Sequence, residues 1–261
     1  MTDRRQRQKE SRAARLEVER KAAARREMRK RLIIALGIGF GLAAVLLVTG
    51  VLSNRPPTLP DGYLEYRDQP TACEATPPPE PSPAPTFPSP EDQLLDPAAP
   101  LYAVFSTSCG SFTVELDTAT YPQTVNSLVF LAREGFYEGT VFHRVAAGFY
   151  AQGGDPNANG TGGPGYSVPD EFPPADFVYE PGVVAMANSG NGTTGSQFFV
   201  VIGENASGLR NAFSIVGRVV AGEDTLDRIA AVPTALQSGS GERSRPLETI
   251  YVERVTVQDS P

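Results

Sequence analysis

The sequence predicts a mainly-β domain, a barrel of short strands with helices over its open ends, carried behind a membrane anchor. Two observations predict the barrel. Runs rich in β-branched and aromatic residues ("LYAVFSTSCGSFTVELDT", "TVFHRV", "GVVAMAN", "SQFFVVIG", "FSIVGRVV", "ETIYVERVTV") alternate with glycine-rich turns. Only two stretches switch to helical spacing, and they lie far apart, so the pattern is not that of βαβ repeats. A third observation, an uncharged run near the N-terminus, predicts the anchor.

From the N-terminus, residues 1–31 form a basic segment with 13 Lys and Arg against 5 Asp and Glu. The whole chain of 261 residues sums to −7, so the remainder carries −15. That acidic bulk argues against nucleic-acid binding, which needs a basic footprint on the folded domain. Residues 32–52, "LIIALGIGFGLAAVLLVTGVL", hold no charge over 21 positions, about the ~20 residues a helix needs to cross the hydrocarbon layer. The long charged segment ahead of this run favours an uncleaved anchor over a signal peptide. Lys and Arg crowd its N-terminal side, which places the N-terminus in the cytoplasm and the rest outside the membrane.

Residues 53–100 read as a Pro-rich linker, with 14 prolines between positions 56 and 100. Proline removes a backbone donor and fixes φ, so neither helix nor sheet ladder is sustained, and a semi-rigid polyproline-II stalk is expected. Ordered structure should resume near Leu101 and fill a domain over 101–258. Within it, a turn at Cys109-Gly110 joins two strands of a hairpin. "YPQTVNSLVFLAREGF" then sets Val125, Leu128, Val129 and Ala132 on one helical face, with Pro122 in the first turn and Gly135 at the stop. A second helix, "EDTLDRIAAV", opens on acids, which the helix dipole favours there.

Three pieces carry a resemblance: "FHRVAAGFYAQGGDPNANGTGG", "MANSGNGTTGSQFFV" and "FSIVGRVV". In this order and spacing they resemble the cyclophilin family of peptidyl-prolyl cis-trans isomerases, over roughly residues 101–258. The resemblance implies an eight-stranded antiparallel β-barrel capped by two α-helices, and rotation about X–Pro bonds as the activity. Its substrates would be proline-containing polypeptides, outside the cytoplasm if the anchor is correctly read, and the role would be to assist their folding. No metal, nucleotide or other cofactor is implied, and with one histidine and two cysteines the chain cannot furnish an all-Cys/His zinc site.

The chemistry explains why a site can consist of a guanidinium, apolar rings and amides. Rotation breaks no σ bond; it requires loss of amide resonance, against a barrier of ~18–20 kcal/mol. A group that donates to the prolyl nitrogen of the twisted amide binds that form better than either planar isomer, and differential binding of this kind is catalysis. Arginine stays charged and presents several donors in a plane. The resemblance gives this role to Arg144. It gives the proline pocket to Phe149, Tyr150, Phe199 and Leu209, with Phe213 beside them. Gln152, Gln197 and the backbone around Ala187, Asn188 and Ser189 would hold the peptide. Alternation along "VFHRV" puts Phe142 and Arg144 on one face and His143, a packed residue rather than a base, on the other. An Arg144 turned from the slot, or locked in an internal ion pair, would remove the basis of this assignment.

Some positions depart from the family pattern. Tyr150 stands where methionine is frequent, Phe213 where histidine or tyrosine is, and Gly208 where tryptophan is common; the last implies weak cyclosporin binding. The stretch "GTGGPG" at 160–165 matches a dinucleotide-loop pattern, but no helix follows it, so it reads as a turn. Cys73 and Cys109 would both lie outside the membrane, where disulfides persist. An intrachain bond clamping stalk to barrel is expected, with free thiols or pairing between chains as the alternatives. A non-catalytic proline-peptide-binding module or chaperone on the same fold is the rival function. Oligomeric state is not readable.

Overall fold

The computed structural model describes residues 61–81, 83–237 and 241–261. The basic segment 1–31, the expected span 32–52 and the first part of the expected linker lie outside the described residues. Among the described residues no helix is long and apolar enough to cross a membrane.

The main sheet contains strands β1 (Tyr102–Thr107), β2 (Gly110–Leu116), β3 (Arg144–Ala146), β4 (Tyr150–Gly153), β5 (Val183–Met186), β6 (Phe198–Val201), β7 (Ile215–Ala221) and β10 (Val252–Gln258). Their order is β10-β1-β2-β7-β5-β6-β4-β3, all pairs antiparallel. The sheet curls until its two edges approach: Val141, just before β3, bridges Tyr251, just before β10. A separate hairpin of β8 (Thr234–Leu236) and β9 (Arg243–Pro246), not anticipated from the sequence, lies with β9 against β3.

Alternation in β1 and β2 turns Ala103, Phe105, Phe112 and Val114 inward. Phe105 stacks on Phe112 with centroids 4.9 Å apart and meets Phe198 at 5.0 Å; Tyr137 and Phe142 add edge-on contacts to Phe198. Each such ring removed from water contributes about 1.5–3 kcal/mol. Gly217 admits β7 close to β2: a Cβ there would sit 1.9 Å from the Glu115 carbonyl oxygen.

The two expected helices are present. In α2 (Pro122–Arg133), Val125, Leu128, Val129 and Ala132 are buried, and the helix packs on β10 and β7. Its first-turn amides are capped from a distance, since the Glu171 carboxylate accepts from the N–H groups of Gln123 and Thr124. Helix α3 (Glu223–Ala230) lies on β2, where Thr225 Oγ1 donates to the Ser111 carbonyl and Arg228 Nε to that of Cys109.

The largest correction concerns the linker 53–100. Its described part is not a free stalk but a strap packed on the barrel, beginning with a helix, α1 (Asp61–Arg67). Tyr63 and Tyr66 are buried with Val141, Ala158 and Tyr251. The Tyr63 hydroxyl donates to the Gly139 carbonyl at 2.8 Å and that of Tyr66 to the His143 carbonyl at 3.0 Å. Further along, Ala72 N–H donates to the Thr249 carbonyl and Thr249 N–H to that of Pro70. Phe87 meets Phe130 of α2 edge-on at 4.9 Å. A disulfide joins Cys73 to Cys109. The proline argument correctly denies this segment a ladder, but a chain without regular bonding can still pack, provided aromatics fill gaps and side chains satisfy its polar backbone. Ordered structure thus begins well before Leu101.

Candidate active site

The candidate residues converge on the face of β3, β4 and β6 that points away from the Phe105–Phe112–Phe198 core. Cross-strand register does this: Arg144 pairs with Gln152 and Gln152 with Phe199, so the three share one face. Phe142 does not join them. The strand begins only at Arg144, and Phe142 packs inward on Phe198, 5.8 Å between centroids. The expected alternation over "VFHRV" fails because Phe142 and His143 are not in a strand, so period two does not apply there.

An apolar floor lies beside Arg144. Phe149 and Tyr150 rings are 4.5 Å apart, Tyr150 and Phe199 5.4 Å, Phe199 and Phe213 5.3 Å. Leu209, at the end of the 3-10 turn Glu204–Gly208, is half-buried against the same core. Gly208 has open space where a side chain would begin, with nothing within 4 Å of an added Cβ. Sequence reasoning missed Tyr179, whose hydroxyl donates to the Phe213 carbonyl at 3.0 Å and accepts from the Phe213 N–H at 3.3 Å. It braces that wall, and burial pushes its phenol up to about 12. Tyr179 sits in an irregular, proline-flanked stretch, where no periodicity marks it.

Next to the floor opens a cleft of about 590 Å³, lined by Gln152, Gln197, Ala187, Asn188 and Ser189 and by the glycine loop that includes Gly160–Gly165. The two glutamines form a chain: Gln152 Nε2 donates to Gln197 Oε1 at 3.0 Å, and Gln197 Nε2 to the Gly162 carbonyl at 2.9 Å. The N–H groups of Ala187 and Ser189 are already committed, to the Gln197 carbonyl and to Thr193 Oγ1. Asn188 Nδ2 donates to the Ala212 carbonyl. The 160–165 segment is irregular loop, as its lack of a following helix implied.

Arg144 itself lies with Cζ 5.0 Å from the Tyr150 ring centroid, a cation–π arrangement. Its guanidinium is not unpartnered. Nε donates to Glu242 Oε2 at 2.9 Å, and Nη2 donates to the same oxygen. This is an internal ion pair of the kind that counts against Arg144 as the catalytic group, and it corrects the sequence reading, which gave the guanidinium no such partner. It does not consume the group. Only the Nε edge is used, the Nη1 nitrogen makes no hydrogen bond among the described residues, and the side chain is one-third exposed. Glu242 lies 98 residues downstream, directly before β9, and no local signal in the sequence links it to Arg144.

His143 is buried, and that burial lowers its pKa, opposed by the Asp155 charge. The lowered pKa favours its neutral form. Among the described residues there is no group of three or more His, Cys, Asp or Glu able to hold a metal.

Comparison with known proteins identifies the family and the fold. Residues 102–257 match the family model for cyclophilin type peptidyl-prolyl cis-trans isomerase/CLD. Peptidyl-prolyl cis-trans isomerase B of Streptomyces anulatus is 41% identical over 178 residues, covering 62% of this chain and 98% of that protein. A probable peptidyl-prolyl cis-trans isomerase A of Mycobacterium leprae is 37% identical, covering 59% and 91%. Among solved structures, a Cryptosporidium parvum cyclophilin-type isomerase aligns with a TM-score of 0.55 at 27% identity, over 62% of this chain and 99% of that one. The same enzyme has been crystallised in the presence of the dipeptide Ala-Pro, with a TM-score of 0.55 to this chain. The chain belongs to the cyclophilin-type peptidyl-prolyl cis-trans isomerase family, enzymes that rotate the bond preceding proline.

Proposed function

We propose that this protein isomerises X–Pro bonds of polypeptides outside the cytoplasm, tethered by residues 32–52, and so assists their folding. Arg144 is the catalytic residue. The observation that carries this is its position at the rim of the aromatic floor, over Tyr150 and in register with Gln152. A proline ring seated on Phe199, Phe213 and Leu209 brings its nitrogen toward the guanidinium. Donation to that nitrogen grows as the amide twists, so the transition state gains more than either planar isomer. Gln152 and Gln197 hold the flanking peptide amides in the cleft. Weak cyclosporin binding belongs to the same reading, through Gly208.

The Cys73–Cys109 disulfide supports the extracytoplasmic placement, because such bonds persist in oxidising compartments. The rival reading, a binding module without turnover, draws on the Arg144–Glu242 pair. Isomerisation of a proline peptide by the full chain, beside Arg144→Ala, decides between them. Loss of one preorganised donor costs about 10²–10³ in rate, and a fall in that range is expected. An unaffected rate would overturn the role of Arg144, and peptide binding without acceleration by the wild type would favour the module. Protease accessibility of the domain on intact cells tests the location; protection from the outside would overturn it.

A further inference from the structure

We propose that Glu242 is a positioning residue for this reaction: it holds the Nε edge of Arg144 and thereby aims the Nη1 end of the guanidinium at the prolyl nitrogen. The inference rests on the assignment of catalysis to Arg144.

Arg144 opens a three-residue strand at the edge of the sheet, which is hydrogen-bonded in a ladder to β4 alone. Its in-register neighbour Gln152 makes no side-chain hydrogen bond to it among the described residues and turns its amide to Gln197 instead. Two other groups contact the guanidinium. The Tyr150 ring lies under it, with Cζ 5.0 Å from the ring centroid, and supports it from that side. Glu242 Oε2 takes both donors of one edge and so sets the rotation within the guanidinium plane. What remains outward is the Nη1 nitrogen and one Nη2 hydrogen.

The carboxylate is itself held in place. Ser244 Oγ donates to Glu242 Oε2 at 3.2 Å, and the Glu242 carbonyl accepts from the Gln237 N–H across the β8–β9 hairpin at 2.7 Å. Strand β9 rests on β3 and is tied to the strap by Arg245 and Glu65, 3.0 Å apart. The hairpin thus delivers one acceptor to the flank of Arg144. Substrate has no need to break the pair, since the donors it requires lie on the opposite edge. A carboxylate that instead competed with substrate for the guanidinium would slow the reaction, and its removal would speed it.

The test is a double-mutant cycle on the full chain with a proline peptide, reading kcat and KM separately and thermal melts alongside. Glu242→Ala should lower kcat by up to about 10²-fold with little change in KM, the scale of a catalytic group misplaced by about 1 Å rather than lost. Glu242→Gln keeps an acceptor oxygen without the charge and should recover most of the loss. In an Arg144→Ala background, Glu242→Ala should cost nothing further, because its effect passes through the guanidinium. A Glu242→Ala enzyme as fast as the wild type, or faster, overturns the proposal. So does an undiminished loss in the Arg144→Ala background, which would mark a general structural effect. Arg144→Ala at the wild-type rate would instead bring down the assignment of catalysis, and this inference with it.

Discussion

The hydroxyl of Tyr66 donates to the carbonyl oxygen of His143, 3.0 Å away and one residue ahead of Arg144. Tyr66 belongs to α1 in the strap, outside the region 102–257 that matches the family. A segment added to the family domain therefore supports, from below, the strand that carries the guanidinium.

Tyr66→Phe keeps the buried ring and removes only the hydroxyl, leaving the buried His143 carbonyl without that donor. An unsatisfied buried acceptor costs about 1–3 kcal/mol. For a domain of this size that corresponds to a fall in Tm of roughly 2–12 °C. Thermal unfolding of the full chain measures it, and an unchanged Tm would show that the contact bears no load.

The disulfide closes a loop with a sequence separation of 36 between strap and β1–β2 turn. Loop-closure entropy puts its contribution at about 4 kcal/mol. Cys73 also sits at φ 62, a left-handed conformation costing roughly 1–2 kcal/mol for a residue with a Cβ, and the bond holds it there. Cys73→Ser/Cys109→Ser should lower the unfolding free energy read from urea titration by about 2–4 kcal/mol, with a correspondingly lower midpoint. Coincident curves for the oxidised wild type and the double variant would refute the staple.

Burial lowers the pKa of His143 in the folded state below the ordinary value of 6.5. The unfolded chain then binds the proton first as pH falls, so stability is retained above pH 6.5 and declines as pH drops below it toward the folded pKa. Melts at about pH 7.5 and about pH 5.5 should differ more for the wild type than for His143→Gln, which lacks the titrating group. Catalysis should not follow the same curve: arginine stays charged and no base takes part, so kcat/KM for the folded enzyme should be flat between about pH 6 and about pH 8. A rate that titrates with His143 would contradict the mechanism.

Much of the domain was legible because its signals are local. The apolar stripe of α2, bounded by Pro122 and Gly135, follows from helical spacing, and Gly135 takes the left-handed φ of 69 that such a stop requires. The hairpin turn at Cys109-Gly110 is read from turn chemistry between alternating strands. The candidate site was half legible. Arg144, Gln152 and Phe199 come together because cross-strand register follows once the strands are placed. The strap was misjudged because proline content reports backbone bonding, whereas Tyr63, Tyr66 and Phe87 act through burial.

By itself, then, the sequence determined the strands of the main sheet and the helices α2 and α3, which follow from periodicity and turn chemistry, while the family resemblance singled out Arg144 with its aromatic and amide companions as candidates. Only the tertiary structure decided what touches Arg144. Curling the sheet brings β9 onto β3, and that alone carries Glu242 across 98 residues to the guanidinium and lets α1 reach the His143 carbonyl. Contacts of this range have no spacing rule, because they depend on how far a whole sheet bends rather than on which residues are neighbours in the chain.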